Sequence, residues 1–243
     1  MKYEKIICGQ FLARPNRFIA EVKLNHSGEI TRAHVKNTGR CRELLLPGST
    51  VYLEDFTFRM GSRKLAYSLI GVEKMLPDGQ TLLVNMDSQA PNKVAAEALA
   101  SGTVILPGMG TLTEIRGEKT YGDSRFDFYV EDEDGRKGFV EVKGVTLEED
   151  GLVRFPDAPT ERGVKHLHEL MKARAEGYMA YALFIVQMEG MKRFMPNDAT
   201  HKAFGDALRE ASAAGVAVLA YQCHVTEDSL EVTEPIAVEL FEL

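Results

Sequence analysis

Glu141 and Lys143 lie two residues apart in Gly138-Phe139-Val140-Glu141-Val142-Lys143-Gly144, and Asp127 lies upstream in Arg125-Phe126-Asp127-Phe128-Tyr129-Val130. Both segments read as strands. Successive side chains of a strand point to opposite faces, so Glu141 and Lys143 share one face and Val140 and Val142 the other. Charges on an apolar strand are costly to bury unless they are paired or used. An aspartate, a glutamate and a lysine converging on one point suit magnesium-dependent hydrolysis of a phosphodiester. Magnesium is held by one or two carboxylates together with water and substrate phosphate. Asp127 and Glu141 are the candidate metal carboxylates, with the carbonyl of Val142 within reach. Lys143 is the candidate to orient the attacking water or steady developing negative charge. Glu97, on a preceding helix, is a candidate third metal carboxylate. The alternatives are a structural salt-bridge cluster for the trio and a solvated helix residue for Glu97.

The turn between the two strands fixes whether these groups meet. A three-residue loop, Glu133-Asp134-Gly135, puts glycine where such loops favour a left-handed residue. That register sets Asp132 opposite Arg136 and Asp127 opposite Glu141. Asp127, Tyr129, Glu141 and Lys143 then share a face, and Phe126, Phe128, Val130, Val140 and Val142 form the other. A two-residue loop would set Asp127 opposite Val142 and destroy the pattern.

The elements around this hairpin follow from periodicity and punctuation. Apolar spacing predicts a helix over Asn92–Ser101, strands over Thr111–Glu118, Arg125–Glu131 and Lys137–Thr146, and a helix opened by Asp157-Ala158-Pro159, with Asp157 as its N-cap. Val164, Leu167, His168, Met171 and Ala175 give that helix a packed face, which leaves His166 exposed. Met179–Val186 and Val216–Cys223 read as buried strands around a helix over His201–Ala214. The order from residue 91 is αβββαβαβ, and its first six elements have the order of the PD-(D/E)xK nuclease core. Before them, Phe18–Leu24, Glu29–Lys36, Thr50–Phe58, Leu65–Lys74 and Thr81–Asn85 suit a five-stranded OB-like barrel. The expected fold is therefore an OB-like domain over residues 1–87 and a restriction-endonuclease-like α/β domain over 88–243.

Charge is divided unevenly. Residues 1–90 hold 13 Lys and Arg against 9 Asp and Glu, a balance of +4, while the remaining residues hold 16 against 27, a balance of −11. The basic half could meet a polyanion. Arg14, Arg17, Lys36, Arg40 and Arg42 lie in loops beside strands and are candidate phosphate contacts. Arg162 and Lys165 are further candidates at the start of a helix, where backbone N–H groups attract phosphate. Glu161 and His166 in the same turn are possible active-site residues. His166 and His168 are about 200° apart around a helix, too far to share one metal. Phe18 could stack a base, although its place in a strand favours the core. No apolar run reaches the roughly 20 residues that cross a membrane. The three scattered cysteines form no disulfide framework, and with no signal-peptide pattern the expected compartment is the cytoplasm.

These segments together resemble the sugar fermentation stimulation protein family. The residues that carry the resemblance are Arg17-Phe18-Ile19-Ala20, Asn37-Thr38-Gly39, Ser124 to Phe128, Val140 to Thr146, and the long run from Phe155 through Thr160-Glu161-Arg162-Gly163 to Leu170. The resemblance covers nearly the whole chain. It implies an OB-like N-terminal domain, a nuclease-like C-terminal domain, DNA binding with little sequence preference and a link to sugar use. By position, Asp127, Glu141 and Lys143 match the metal and catalytic triad of the broader nuclease group, Glu97 its helix carboxylate, and Phe126 stands where that group has proline. The leading expectation is a DNA-binding protein with a magnesium- or manganese-dependent nuclease site, with a homodimer as an option because cutting a duplex takes two sites. A non-enzymatic DNA-binding regulator and a carbohydrate- or nucleotide-binding module are the alternatives.

Overall fold

A computed structural model describes residues 1–37, 39–122 and 124–241; Thr38 of the Asn37-Thr38-Gly39 motif lies outside the described residues. The chain opens with strands β1 (Ile6–Asn16), β2 (Ile19–Leu24), β3 (Ile30–Val35), β4 (Thr50–Asp55), β5 (Tyr67–Met75) and β6 (Thr81–Asn85). Antiparallel pairs join β3-β2-β1-β4-β5, and a parallel pairing of Ala33–Val35 with Tyr67–Leu69 closes the ring. This is a closed five-stranded barrel with β6 added to the outer end of β5. Alternation explains β2, where Ala20, Val22 and Leu24 point inward and Glu21 and Lys23 do not. β1 is absent from the strands that the sequence predicts. Two register shifts break its alternation, between Phe11 and Ala13 and between Ala13 and Asn16, and they hide the period of two.

The second part begins with helix α1 (Ala90–Ser101) and the meander β7 (Leu112–Tyr121), β8 (Ser124–Asp132) and β9 (Lys137–Val145). Helix α2 (Glu161–Ala175), strand β12 (Met179–Val186), helix α3 (Asp198–Ala213) and strands β14 (Ala217–Val225) and β15 (Leu230–Pro235) follow. They build a six-stranded sheet in the order β15-β14-β12-β9-β8-β7, with β9, β12 and β14 mutually parallel. β12 is buried along nearly its whole length, as a central parallel strand covered on both faces must be. Val140, Val142, Leu183 and Ile185 pack against α1, and Phe139, Ala182 and Phe184 face α2 and α3. The short strands β10 (Leu147–Glu149), β11 (Leu152–Phe155), β13 (Arg193–Pro196) and β16 (Ala237–Val238) form a separate four-stranded sheet. Segments of two to four residues carry too few alternations to be read from sequence.

The barrel and the α/β part share one apolar cluster, running from Phe11, Leu53 and Met86 to Phe139, Phe184 and Phe204. Gln187, at the end of β12, stitches the junction. Its amide donates to the Asn85 carbonyl at 3.1 Å, the Asn85 side chain at 2.9 Å and the Asp87 carbonyl at 3.1 Å.

The β8–β9 hairpin has the expected register: Glu131 pairs with Lys137 and Phe128 with Val140. Gly135 adopts φ +76° in the turn. Asp132 holds that turn, its carboxylate accepting the N–H groups of Gly110 (2.8 Å), Asp134 (3.1 Å) and Arg136 (2.8 Å) and the Arg136 guanidinium (3.2 Å). The ladder ends at Phe128–Val140, and β8 parts from β9 beyond it. The expected face assignment therefore fails at Phe126. Its ring lies 5.1 Å from Phe139 and 6.4 Å from His166, on the α2 side rather than beside Phe128.

Helix α2 also departs from expectation. Its N-cap is Thr160, whose hydroxyl accepts the Gly163 N–H at 3.0 Å, and not Asp157. Its buried stripe is Gly163, His166, Leu167, Leu170 and Ala173, so His166 is buried and His168 exposed. The two candidate stripes differ by a small rotation, and a close approach selects between them. A Cβ on Gly163 would lie 2.9 Å from Thr160 Cγ2 and 3.0 Å from the Phe204 ring, so only glycine lets α2 settle against α3 on this face.

Two predictions follow from these anchors. Thr160→Ala should lower the free energy of unfolding in urea by about 1 kcal/mol, the usual worth of an N-cap. The Asp132 carboxyl is held below the ordinary carboxylate range, first by the Gly110 N–H and then by the Arg136 N–H and guanidinium. A depressed folded pKa gives stability that is full above the unfolded value and disappears as pH falls through the folded value. Asp132→Asn should therefore melt below the wild type at pH 7, and the gap should close as the pH drops below about 4. A gap that persists unchanged at pH 2–3 would contradict this account.

Candidate active site

Glu141 lies at the centre of the sheet, between β8 and β12, with Ala182 as its β12 partner. It is 3% exposed. Lys143, on the same face, donates to Glu141 Oε1 at 2.5 Å. His166 of α2 reaches that same oxygen through Nδ1. One turn earlier, Arg162 Nε donates to His166 Nε2 at 3.3 Å. Arg162 can only donate, so Nε2 is the acceptor and the imidazole proton sits on Nδ1, facing Glu141. Burial opposes the Glu141 charge, but His166 and Lys143 outweigh it and hold the carboxyl below its ordinary value. Glu141 Oε2 is buried and has no hydrogen-bond partner among the described residues.

Asp127 lies at the fork where β8 leaves β9. Its Oδ2 accepts the Val142 N–H at 2.7 Å, in place of a ladder bond, and its Oδ1 accepts the Asn92 side-chain amide at 2.7 Å. Burial first, and the Glu141 charge second, push the Asp127 carboxyl upward, against the pull of the Val142 N–H, Lys143 and Asn92. The two carboxyls are thus driven apart, one favouring its charge and the other resisting it. The structure joins Glu141, Lys143 and His166 in one cluster and sets Asp127 near enough to feel the charges of Glu141 and Lys143.

Glu97 is not with them. It is exposed and binds the Met1 ammonium at 2.7 Å. That ammonium also donates to the Leu230 carbonyl of β15, at the far edge of the sheet from β8. The α1 residue that does reach the site is Asn92, on a turn nearer the helix start. Sequence reasoning missed it, because a lone asparagine in a first helical turn carries no signature.

The basic candidates separate into two groups. Arg14 is a scaffold residue, its guanidinium donating to the carbonyls of Arg17, Asn37, Gly39 and Arg40 at 2.7–3.1 Å. Lys36 is bound to the buried Asp87 at 3.0 Å. Both are corrections to the phosphate-contact expectation, since their donors are already used inside the fold. Arg17, Arg40, Arg42, Arg162 and Lys165 are exposed. Glu161 is 87% exposed and pairs with His201 Nε2 at 3.2 Å, on the outer side of the turn rather than at Glu141.

Among the described residues no set of three or more His, Cys, Asp or Glu side chains converges as a metal cage. The buried, unpartnered Glu141 Oε2 and the neighbouring Asp127 nevertheless fit a hard divalent ion that keeps most of its waters. No helix of the described residues is long and apolar enough to cross a membrane.

Residues 12–84 match the family profile described as the SfsA N-terminal OB domain, and residues 89–229 that of the sugar fermentation stimulation protein RE domain. A sugar fermentation stimulation protein homolog of Desulfitobacterium hafniense strain Y51 is 55% identical over 242 residues, covering all of both chains. The homolog from Clostridium beijerinckii is 48% identical over 240 residues, covering 99% of this chain and 100% of its own. The solved structure of Pyrococcus furiosus SfsA in complex with Ca2+ has a TM-score of 0.84 at 28% identity, covering 98% of each chain. With matches spanning both halves of the fold, this chain belongs to the sugar fermentation stimulation protein family.

Proposed function

We propose that this protein is a DNA-binding, divalent-metal-dependent phosphodiester hydrolase of the PD-(D/E)xK kind, with its reaction centre at Asp127, Glu141 and Lys143. The observation that carries this reading is Glu141, a buried carboxylate with one oxygen held by both Lys143 and His166 and the other left without a partner. A buried carboxylate oxygen with no partner in the protein is open to a cation, and a divalent ion would supply the missing partner. The Ca2+ bound by the Pyrococcus furiosus relative supports a divalent site in this family. Asp127 and Glu141 would hold Mg2+ or Mn2+, and the ion would lower the pKa of a bound water and offset charge on the phosphate.

The side chains around that position divide the work. His166 fixes the Glu141 carboxylate through Nδ1–H to Oε1 and leaves Oε2 without a partner. Arg162 fixes the tautomer of His166. Lys143 is only partly buried, and its ammonium can pass from Glu141 to a phosphate oxygen, where it would stabilise the charge that builds as water attacks phosphorus. Asn92 and the Val142 N–H hold Asp127 against rotation. Arg17, Arg40 and Arg42 on the barrel, with Arg162 and Lys165 on α2, supply exposed positive charge for a phosphate backbone.

One observation favours a second reading, a DNA-binding regulator without catalysis. The neutral Asn92 occupies the helix position near Asp127, and Glu97 contributes no third carboxylate.

Labelled DNA incubated with Mg2+ or Mn2+ separates the two. Wild-type protein should cut, EDTA should stop it, and Glu141→Gln and Lys143→Ala should each lower the rate by about 100-fold or more. Intact DNA with wild-type protein and either metal would leave only the regulator. Metal affinity should also depend on pH. The carboxylate is the metal-binding form, and burial raises the Asp127 pKa. Affinity for Mn2+ by calorimetry should therefore start to fall at a higher pH than an ordinary aspartate, with its pKa of about 3.9, would dictate. Asp127→Asn should remove that dependence along with most of the affinity.

A further inference from the structure

A polar cavity of about 460 Å³ lies between the barrel and the α/β part, where segments far apart in the sequence meet. Arg17 and Asn37 line it from the barrel loops, Gly144 and Gln187 from the central strands, and Asp157 and Thr160 from the turn before α2. Gly144 is the residue directly after Lys143, so the cavity begins beside the proposed reaction centre. Its volume falls within the range of about 300–1,000 Å³ usual for small-ligand sites, and is far too small for a duplex. Gly144 has to be glycine, because a Cβ there would lie 2.5 Å from Gln187 Oε1 and 2.6 Å from Pro91. Gln187 is itself locked by three bonds to Asn85 and Asp87, so this wall is preformed.

Beyond the lining residues, next to Arg17, stands an aromatic ring. Phe18 belongs to the turn between β1 and β2, not to a strand, and it is 42% exposed. The Arg17 guanidinium stacks over it, 4.5 Å from the ring centroid. An exposed ring under an arginine is a platform for a nucleobase, since every base offers a π-face. Asn37, Asp157 and Thr160 offer donors and acceptors for base edges, and Arg17 offers charge for the phosphate. The larger open groove, of about 910 Å³, is a poor competitor for a polyanion. Asp78, Glu148, Glu149 and Asp150 line it against Lys74 and Lys192, which leaves the lining net negative, beside the β5–β6 hairpin.

We infer that this cavity takes one unpaired nucleotide of a DNA strand, with Phe18 and Arg17 stacking its neighbour, so that the protein engages single-stranded or locally unpaired DNA in preference to duplex. The inference rests on the proposed reaction centre only in that it sets where the scissile phosphate lies, and binding can be tested without cleavage. Fluorescence anisotropy in EDTA with a labelled twelve-residue oligothymidylate and a twelve-base-pair duplex should show at least about tenfold tighter binding of the single strand. Ala158→Phe places a ring in the cavity, whose lining includes none of Asp127, Glu141, Lys143 or His166. It should weaken single-strand binding about tenfold and leave duplex binding unchanged, and the exposed Phe18→Leu should do the same. Should Ala158→Phe melt early, Phe18→Leu decides the matter alone. Equal affinity for the two DNAs, or single-strand binding unchanged in well-folded variants, would overturn the inference. A single-strand preference in EDTA combined with no cleavage in metal would remove the nuclease reading and leave the binding site standing.

Discussion

A carboxylate buried in the middle of a sheet is the constraint from which much of this structure follows. Glu141 is almost fully removed from water, and such a charge survives only with close partners. Lys143 comes from the same strand at no topological cost. His166 has to be brought by another element, and that requirement orients α2. The Thr160 cap starts the helix, Gly163 lets it approach α3, and the stripe from His166 to Ala173 then falls against the sheet. Removing one partner of a buried pair typically costs about 3–5 kcal/mol, so the site and the docking of α2 are energetically one unit. Both partners converge on Oε1. Glu141 is neutralised on one side and left without a partner on the other.

The neighbouring fork makes the second half of the site. A regular ladder would have turned Asp127 toward one face and spent the Val142 N–H on a backbone carbonyl. The separation of β8 from β9 frees that N–H, and the Asp127 carboxylate takes it. Irregularity at the end of a strand pair is a common way to aim a side chain. Here it sets a carboxyl with a raised pKa beside one with a lowered pKa, an arrangement that lets two like charges share a small space.

The barrel is more than an appended module. It shares an apolar cluster with the α2–α3 face of the sheet, and Gln187 and the Lys36–Asp87 pair lock the junction. Rigid attachment fixes the Arg17–Phe18 turn relative to β9. Basic residues near the junction thereby acquire two different fates. Arg14 and Lys36 spend their hydrogen bonds holding loops, and Arg17, Arg40 and Arg42 face outward because that scaffold is already satisfied.

The barrel class, the order αβββαβ, the hairpin register and the shared face of Glu141 and Lys143 were legible in the sequence. Each rests on short-range physics: alternation with period two, helical spacing, and a glycine in a left-handed turn. Long apolar elements such as Met179–Val186 announce themselves in the same way. Contacts between elements distant in the chain do not. The α2 face depended on how closely Phe204 approaches Gly163, which reversed the roles of His166 and His168. Asn92 reaches Asp127, and Glu97 binds the N-terminal ammonium, because α1 lies across the sheet at an angle that no periodicity encodes. Arg14 and Arg17 are three residues apart and equally basic. Only the folded loops decide that one is buried in carbonyls and the other is free to meet a ligand. Local sequence thus set the strands and their charges, and tertiary packing selected which of those charges converge, because convergence is a property of the distances between elements.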